Sequence, residues 1–165
     1  MGKEITTNKK AFFEYEIEDR FEAGIVLTGP EIKSIRAGKV NLTGSHARII
    51  EARSQKLVSI IKSKIPDTRY KIQASHPELF IINMHIETKD SDSTKTRKLL
   101  MHKSEINKLI GKTQQKGLTL IPLRLYLKNG RAKIELGLGR GKKLHDKRET
   151  IKKRDLKRSR EKGEE

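Results

Sequence analysis

The chain has 165 residues, enough for one domain with appendages, and its lack of cysteine excludes disulfides, thiol catalysis and cysteine-based zinc sites. Its 38 Lys and Arg against 21 Asp and Glu give a formal net charge of +17, which calls for a polyanionic partner. No run approaches the roughly 18 apolar residues of a membrane span, so nucleic acid is favoured over a membrane.

In chain order, residues 1–10 are polar and read as a frayed end. Phe13, Tyr15 and Ile17 alternate with Glu14, Glu16 and Glu18, the period of a half-buried strand. Residues 22–28 read as a second strand, broken by Gly29-Pro30. Pro30 suits the first turn of a short helix that sets Ile32 and Ile35 on one face and stops at Gly38.

Strand-like runs follow at 45–50, 56–62 and 79–87, the last with Phe80, Ile82, Met84 and Ile86 at period two. Residues 64–77 are basic and turn-rich, and 90–94 form a polar loop. Residues 97–103 lead into a helix with Ser104 as N-cap and Ile106, Leu109 and Ile110 as its stripe. Strands at 118–128 and 131–138 flank Asn129-Gly130, the preferred type I′ hairpin turn. Pro122 places the first of them at an edge or beside a bulge. Short strands, two short helices and little apolar content point to a small β-barrel.

The end of the chain differs. From Arg140 to Lys162 there are 12 Lys and Arg against 4 Asp and Glu, with no aromatic residue. Leu144, Ile151 and Leu156 are too few to pack a helix against a core, so an arm loosely ordered in solution is expected. Residues 1–139 still carry +11, so the body as well as the arm should hold a polyanion. Asp146 and Glu149 are spaced as N-cap and N3 of a capping box, and Glu149 to Lys153 is a favourable i,i+4 pair. Helix formation on RNA binding is the expected behaviour.

Chemistry-bearing patterns are sparse. Gly137-Leu-Gly139-Arg-Gly141-Lys142-Lys143 fails the phosphate-loop pattern, having Leu136 where its first Gly belongs and Lys143 where Ser or Thr would bind magnesium. A flexible joint between hairpin and arm accounts for these glycines. His46, His76, His85, His102 and His145 show no metal-ligand spacing, and neither metal nor cofactor is expected. His145 among cations could stack on an RNA base. Glu14, Glu16, Glu18, Asp19 and Glu22 form an acidic patch, read as a solvated strand face or, alternatively, as an acceptor for a base amino group. A phosphoryl-transfer enzyme would need clustered carboxylates for magnesium, and none stands out elsewhere. The start of the chain lacks the apolar run of a secretion signal, so a cytoplasmic location is expected. Met1-Gly2-Lys3-Glu4-Ile5-Thr6 meets the loose myristoylation pattern, and Asn41-Leu42-Thr43 is formally a glycosylation sequon; neither is given a role.

Several stretches together resemble the SsrA-binding protein family, also called small protein B, the protein partner of tmRNA in bacterial trans-translation. They are Asn8-Lys-Lys-Ala-Phe-Phe-Glu-Tyr15, Phe21-Glu-Ala-Gly-Ile-Val-Leu-Thr-Gly-Pro-Glu-Ile-Lys-Ser-Ile-Arg-Ala-Gly38, Thr96-Arg-Lys-Leu-Leu-Met-His-Lys-Ser-Glu-Ile106, Leu125-Tyr-Leu-Lys-Asn-Gly130 and Gly141-Lys-Lys-Leu-His-Asp-Lys-Arg148.

The resemblance implies a mostly β fold, an OB-like closed antiparallel β-barrel with two or three short flanking helices and a flexible basic C-terminal tail. Residues 1–139 would form the RNA-binding barrel, with an insert at about 52–77. Residues 140–165 would be a tail disordered when free and helical on the ribosome. The implied function is non-enzymatic. The barrel binds the tRNA-like domain of tmRNA in place of an anticodon arm, and the tail probes the empty mRNA channel of a stalled small subunit near its decoding centre. A monomer with no membrane contact is implied.

By motif position, Asn8, Lys9, Lys10, Glu22, Leu100, His102 and Lys133 would meet tmRNA. Arg140, Lys142, Lys143, His145, Asp146, Lys147, Arg148, Ile151, Lys152, Arg154 and Leu156 would meet ribosomal RNA. The alternative is a generic OB-fold RNA-binding or ribosome-associated protein. Three departures from the family pattern stand out. Phe13 replaces a common His, Pro30 replaces Thr or Trp, and the segment from Arg48 to Leu79 is long.

Overall fold

The computed structural model describes residues 2–50, 77–88, 92–114, 117–143, 146–148, 151, 152, 156 and 159. Its elements are β1 (Lys3–Thr7), α1 (Lys9–Glu14), β2 (Tyr15–Ile25), α2 (Gly29–Arg36), β3 (Val40–Asn41), β4 (His46–Ile50), β5 (Glu78–Ile82), β6 (His85–Ile86), β7 (Arg97–Leu100), α3 (Lys103–Thr113), β8 (Leu118–Lys128) and β9 (Arg131–Gly141). The expected strand at 56–62 and most of the insert lie outside the described residues.

The fold is mostly β with a few short helices. One antiparallel sheet has the order β1-β8-β4-β5-β7-β2-β9, and β8 pairs with β9 as well; β3 and β6 form a separate pair. The longest ladder is the β8–β9 hairpin, from Lys128↔Arg131 to Leu118↔Arg140. Its turn is as expected, with Asn129 at φ 51° and Gly130 at φ 72°, both left-handed as type I′ requires. Pro122 sits at a bulge, between its own pairing with Leu136 and that of Arg124 with Glu135.

Inward-facing Ile134, Leu136 and Leu138 of β9 meet Leu120 and Leu125 of β8, Leu79 and Ile81 of β5 and Leu99 of β7. Ile35 of α2 and Leu109 of α3 cap this core, both fully buried. Each such side chain contributes about 1.5–3 kcal/mol by leaving water. A smaller cluster of Ala11, Ile121 and Leu123, rimmed by Phe12, Tyr15 and Ile17, seats α1 on β8.

Some expectations need correction. Residues 3–7 form β1, paired with β8 at Lys3↔Leu127 and Thr7↔Arg124, and α1 follows at once. Phe13 and Glu14 are therefore helical, and the two strands expected at 13–17 and 22–28 are the single strand β2. The 79–87 run splits at Asn83, whose φ is 58°, and Leu79, Phe80 and Ile81 are all buried rather than alternating. α3 is capped two residues earlier than expected, at His102, whose N–H donates to Glu105 Oε2 at 3.2 Å.

α2 begins on a buried charge. Glu31 accepts from the Thr28 N–H at 2.7 Å and from Arg97 Nε at 2.8 Å, with Lys95 Nζ at 3.3 Å. Arg97 also donates to the carbonyls of Met84, Lys95 and Ser93. Burial alone would raise the Glu31 pKa, but these donors outweigh it and hold the carboxyl below its ordinary range. α2, β7 and the segment leading into β7 are thereby joined.

Candidate nucleic-acid interface

Strand register assembles one row of residues across four strands. Tyr126 of β8 lies opposite Lys133 of β9, Lys133 opposite Gly24 of β2, and Gly24 opposite Leu100 of β7. Glu22, two residues before Gly24, shares its face because side chains alternate along a strand. The Glu22 carboxylate accepts the Tyr126 hydroxyl proton. Lys133 Nζ stands 3.3 Å away and Lys128 Nζ 3.5 Å away. The Tyr126 hydrogen bond, then the two ammonium groups, hold the Glu22 pKa below its ordinary value against a modest burial cost. The same carboxylate, with burial as the larger cause, pushes the Tyr126 phenol well above its usual range.

Leu100 is 52% exposed, an apolar side chain offered to solvent at the end of this row. Gly24 leaves bare backbone beside it, since a Cβ there would come 3.3 Å from Leu100 Cβ. His102 follows two residues on, exposed at the start of α3. An ionised acceptor, fixed cations and an open apolar edge can hydrogen-bond a base edge, pair a phosphate and carry a base ring.

A second set of charges continues this face. Arg20 NH1 contacts Glu135 at 3.1 Å, and Arg124 reaches Glu135 at 3.7 Å and Glu4 at 3.6 Å. The Arg20 guanidinium also lies 5.7 Å from the centroid of the Phe12 ring. Such half-exposed pairs stabilise little individually. Their effect is to neutralise Glu4 of β1 and Glu135 of β9 with cations from β2 and β8. Tyr126, Arg20, Arg124 and Glu135 were missed as site residues, because only strand register brings them together; the Leu125–Gly130 motif was the one available signal. The acidic patch does not persist as a unit. Glu16 and Glu18 are exposed as expected, Asp19 pairs with Lys112, and Glu14 lies on α1.

Asn8, Lys9 and Lys10 belong to a different neighbourhood. Asn8 is buried as the N-cap of α1, accepting from Ala11 N at 3.1 Å. Both its amide hydrogens are used inside the fold, on Leu42 O at 3.1 Å and Pro122 O at 3.0 Å. Its side chain thus positions α1, on which Lys9 and Lys10 are exposed. Lys10 lies 3.7 Å from Glu14.

The basic segment starts inside the sheet. Arg140 pairs with Glu16 and Gly141 with Tyr15, so β9 runs to Gly141. The glycines before it are not a flexible joint. A Cβ on Gly137 would lie 2.9 Å from Leu123 Cδ1, and one on Gly139 2.7 Å from the Glu16 carbonyl. Lys142 donates its N–H to Glu14 O at 2.8 Å and its ammonium to Phe12 O at 3.2 Å. The first helical turn of the arm begins at Lys143, three residues before the expected cap. Asp146 accepts the Lys143 N–H at 3.2 Å, and Lys147 N donates to Lys143 O at 3.2 Å. Asp146, Lys147, Arg148, Ile151, Lys152 and Leu156 have helical backbone, and Ile151 and Leu156 are 45% and 58% exposed. His145, Arg154, Glu149 and Lys153 lie outside the described residues.

Among the described residues no three His, Asp or Glu are grouped to hold a metal, and no helix is long and apolar enough to cross a membrane. The family model described as SmpB protein matches residues 5–67 and 53–164. The chain belongs to the SmpB family. Its similarity to SmpB relatives runs nearly end to end. It is 48% identical to the SsrA-binding protein of Acaryochloris marina (strain MBIC 11017), covering 98% of this chain and 93% of that one. It is also 48% identical to the SsrA-binding protein of Bacillus subtilis (strain 168), over 95% and 88%. A solved structure described as "tmRNA-SmpB: a journey to the center of the bacterial ribosome" aligns with a TM-score of 0.59 at 39% identity. It covers 88% of this chain and 93% of that one.

Proposed function

We propose that this chain binds tmRNA and delivers it to stalled ribosomes, the body replacing an anticodon arm and the arm probing the vacant mRNA channel. The observation that carries this reading is 48% identity, over nearly the whole chain, to proteins named for binding SsrA RNA. A net charge of +17 supports an RNA partner independently. The proposed work is binding without catalysis, in the cytoplasm.

In this reading the body is a closed OB-like barrel, supported by the pairing of β8 with both β4 and β9. Glu22, Lys133, Leu100 and His102 form one tmRNA contact region and Lys9 and Lys10 a second, with Asn8 holding α1 in place. Arg140, Lys142, Lys143, His145, Asp146, Lys147, Arg148, Ile151, Lys152, Arg154 and Leu156 serve the ribosomal side, and the arm completes its helix there.

The test is a salt-titrated binding curve against tmRNA with bulk tRNA as competitor. Tight binding that survives competition at physiological salt is expected. Equal affinity for both RNAs, collapsing together as salt rises, would overturn the reading in favour of a generic basic RNA binder.

A further inference from the structure

Arg20 and Arg124 share the Glu135 carboxylate on different terms. Arg20 NH1 donates a hydrogen bond to Glu135 Oε1 at 3.1 Å, and its guanidinium lies over the Phe12 ring. Arg124 Nε stands 3.7 Å from Glu135 Oε2, and Arg124 NH1 stands 3.6 Å from Glu4 Oε2. Both separations exceed hydrogen-bond length. Arg124 Nε is itself buried and, among the described residues, without a hydrogen-bond partner. Glu4 does not supply one, and the Thr7 hydroxyl already donates to its other oxygen. Arg124 is thus drawn in by charge, while each acid beside it has a hydrogen-bond donor of its own.

A buried donor left unmade is costly, and ion pairs this exposed return little against that cost. A guanidinium stays protonated and carries its donors in a fixed fork that suits a phosphate. With 41% of the Arg124 side chain exposed, such a ligand can reach it.

Arg124 lies opposite Glu135, and Glu135 opposite Glu22. Tyr126 and Lys133 sit two residues along the same strands. Side-chain alternation puts all of these on the outer face, in neighbouring rows about 7 Å apart. An RNA strand whose base meets Glu22 therefore passes close to Arg124. Two carboxylates directly opposite each other disfavour a sheet, and they also repel phosphate. Here Tyr126 and Lys133 hold Glu22, and Arg20 holds Glu135. Both acids are satisfied without Arg124.

We propose that Arg124 is a binding residue for an RNA phosphodiester, released to it because Arg20 keeps Glu135. The phosphate oxygens supply the acceptors that Arg124 lacks, turning a charge contact into paired hydrogen bonds. That the RNA is tmRNA rests on the function proposed above; the exchange itself requires only a phosphodiester on this face.

The test titrates full-length protein and its variants into tmRNA, and separately into bulk tRNA, across a range of salt. Arg124→Gln should lower tmRNA affinity about tenfold at physiological salt. It should also reduce the slope of log affinity against log salt by about 1. That slope counts phosphate contacts, so a variant that merely folds less well loses active protein without changing it. Arg124→Lys should recover the slope but only part of the affinity, being a point charge in place of a fork. Arg20→Gln should also weaken binding, because Glu135 then takes Arg124, and adding Glu135→Gln should restore it. An unchanged salt slope in Arg124→Gln would overturn the proposal. So would a loss in Arg20→Gln that Glu135→Gln leaves uncorrected. A parent protein that binds both RNAs alike would refute the proposed function, and the change in slope would still be readable on either RNA.

Discussion

The Tyr126 hydroxyl donates to the Glu22 carboxylate across two strand boundaries, from β8 over β9 to β2. This bond on one oxygen, with Lys133 Nζ 3.3 Å from the other, holds the carboxylate in place while its side chain stays 40% exposed. Glu22 is therefore a held acceptor rather than one of a row of solvated acids. Glu22→Ala should weaken tmRNA binding by about 1–3 kcal/mol if the carboxylate meets a base edge. Tyr126→Phe should reproduce part of that loss and add little to it in the double variant. A filter-binding titration of the two single variants and the double variant decides this; additive losses would show that Tyr126 does not act through Glu22.

Glu31 and Arg97 form the buried counterpart. The folded-state pKa of Glu31 lies below its ordinary value, so its contribution is complete above that ordinary value and is lost as pH falls through the lower, folded one. Acid unfolding curves should therefore steepen below about pH 4. Glu31→Gln should flatten that acid limb and cost about 3–5 kcal/mol at neutral pH, because the Arg97 charge stays buried without its partner. Urea midpoints measured from pH 3 to pH 7 check both effects.

Two closely spaced glycines should behave differently. Gly139→Ala drives a Cβ to 2.7 Å from backbone, which cannot move aside, and should cost about 1–3 kcal/mol. Gly141→Ala meets nothing within 4 Å, at an ordinary φ, and should stay within about 0.5 kcal/mol of the parent. Equal tolerance at both positions, read from urea melts, would restore the picture of a flexible joint.

Stopping the chain after Lys143 keeps β9, its rung to Tyr15 and the Lys142 hydrogen bonds to Phe12 O and Glu14 O. This truncation should retain tmRNA affinity and lose ribosome rescue. A collapse of tmRNA affinity would mean that the arm also serves the body's partner. The comparison is best made at fixed salt, because deleting the arm's cations also lowers nonspecific RNA binding.

Local rules exposed part of this fold. Asn129-Gly130, Pro122 and the Pro30-to-Gly38 helix were legible because turn and cap chemistry acts over a few residues. β1 was not, since Lys3–Thr7 has little apolar pattern and becomes a strand by pairing with Leu125, Tyr126 and Leu127. The role of the glycines also escaped, because the obstacles to a Cβ are Ile17, Glu16 and Leu123, all distant in sequence. The resemblance grouped Glu22, Leu100 and Lys133 as expected RNA contacts. Their assembly around Gly24 and Tyr126 follows from register, which composition does not carry.

The order in which strands pair has a consequence for synthesis. β1 takes β8 as its partner and β2 takes β9, so the first strands to leave a ribosome wait for the last ones. The β8–β9 hairpin can close within about 1–10 μs once its turn is clear. β2 then pairs across more than a hundred intervening residues, which puts the slow search at the end of translation. Nascent chains halted before Leu118 should be protease-sensitive in β1 and β2, and those halted after the arm has emerged should be resistant in both strands. In the proposed role, a factor that clears interrupted translation could not be made in working form by a ribosome that had itself stopped short.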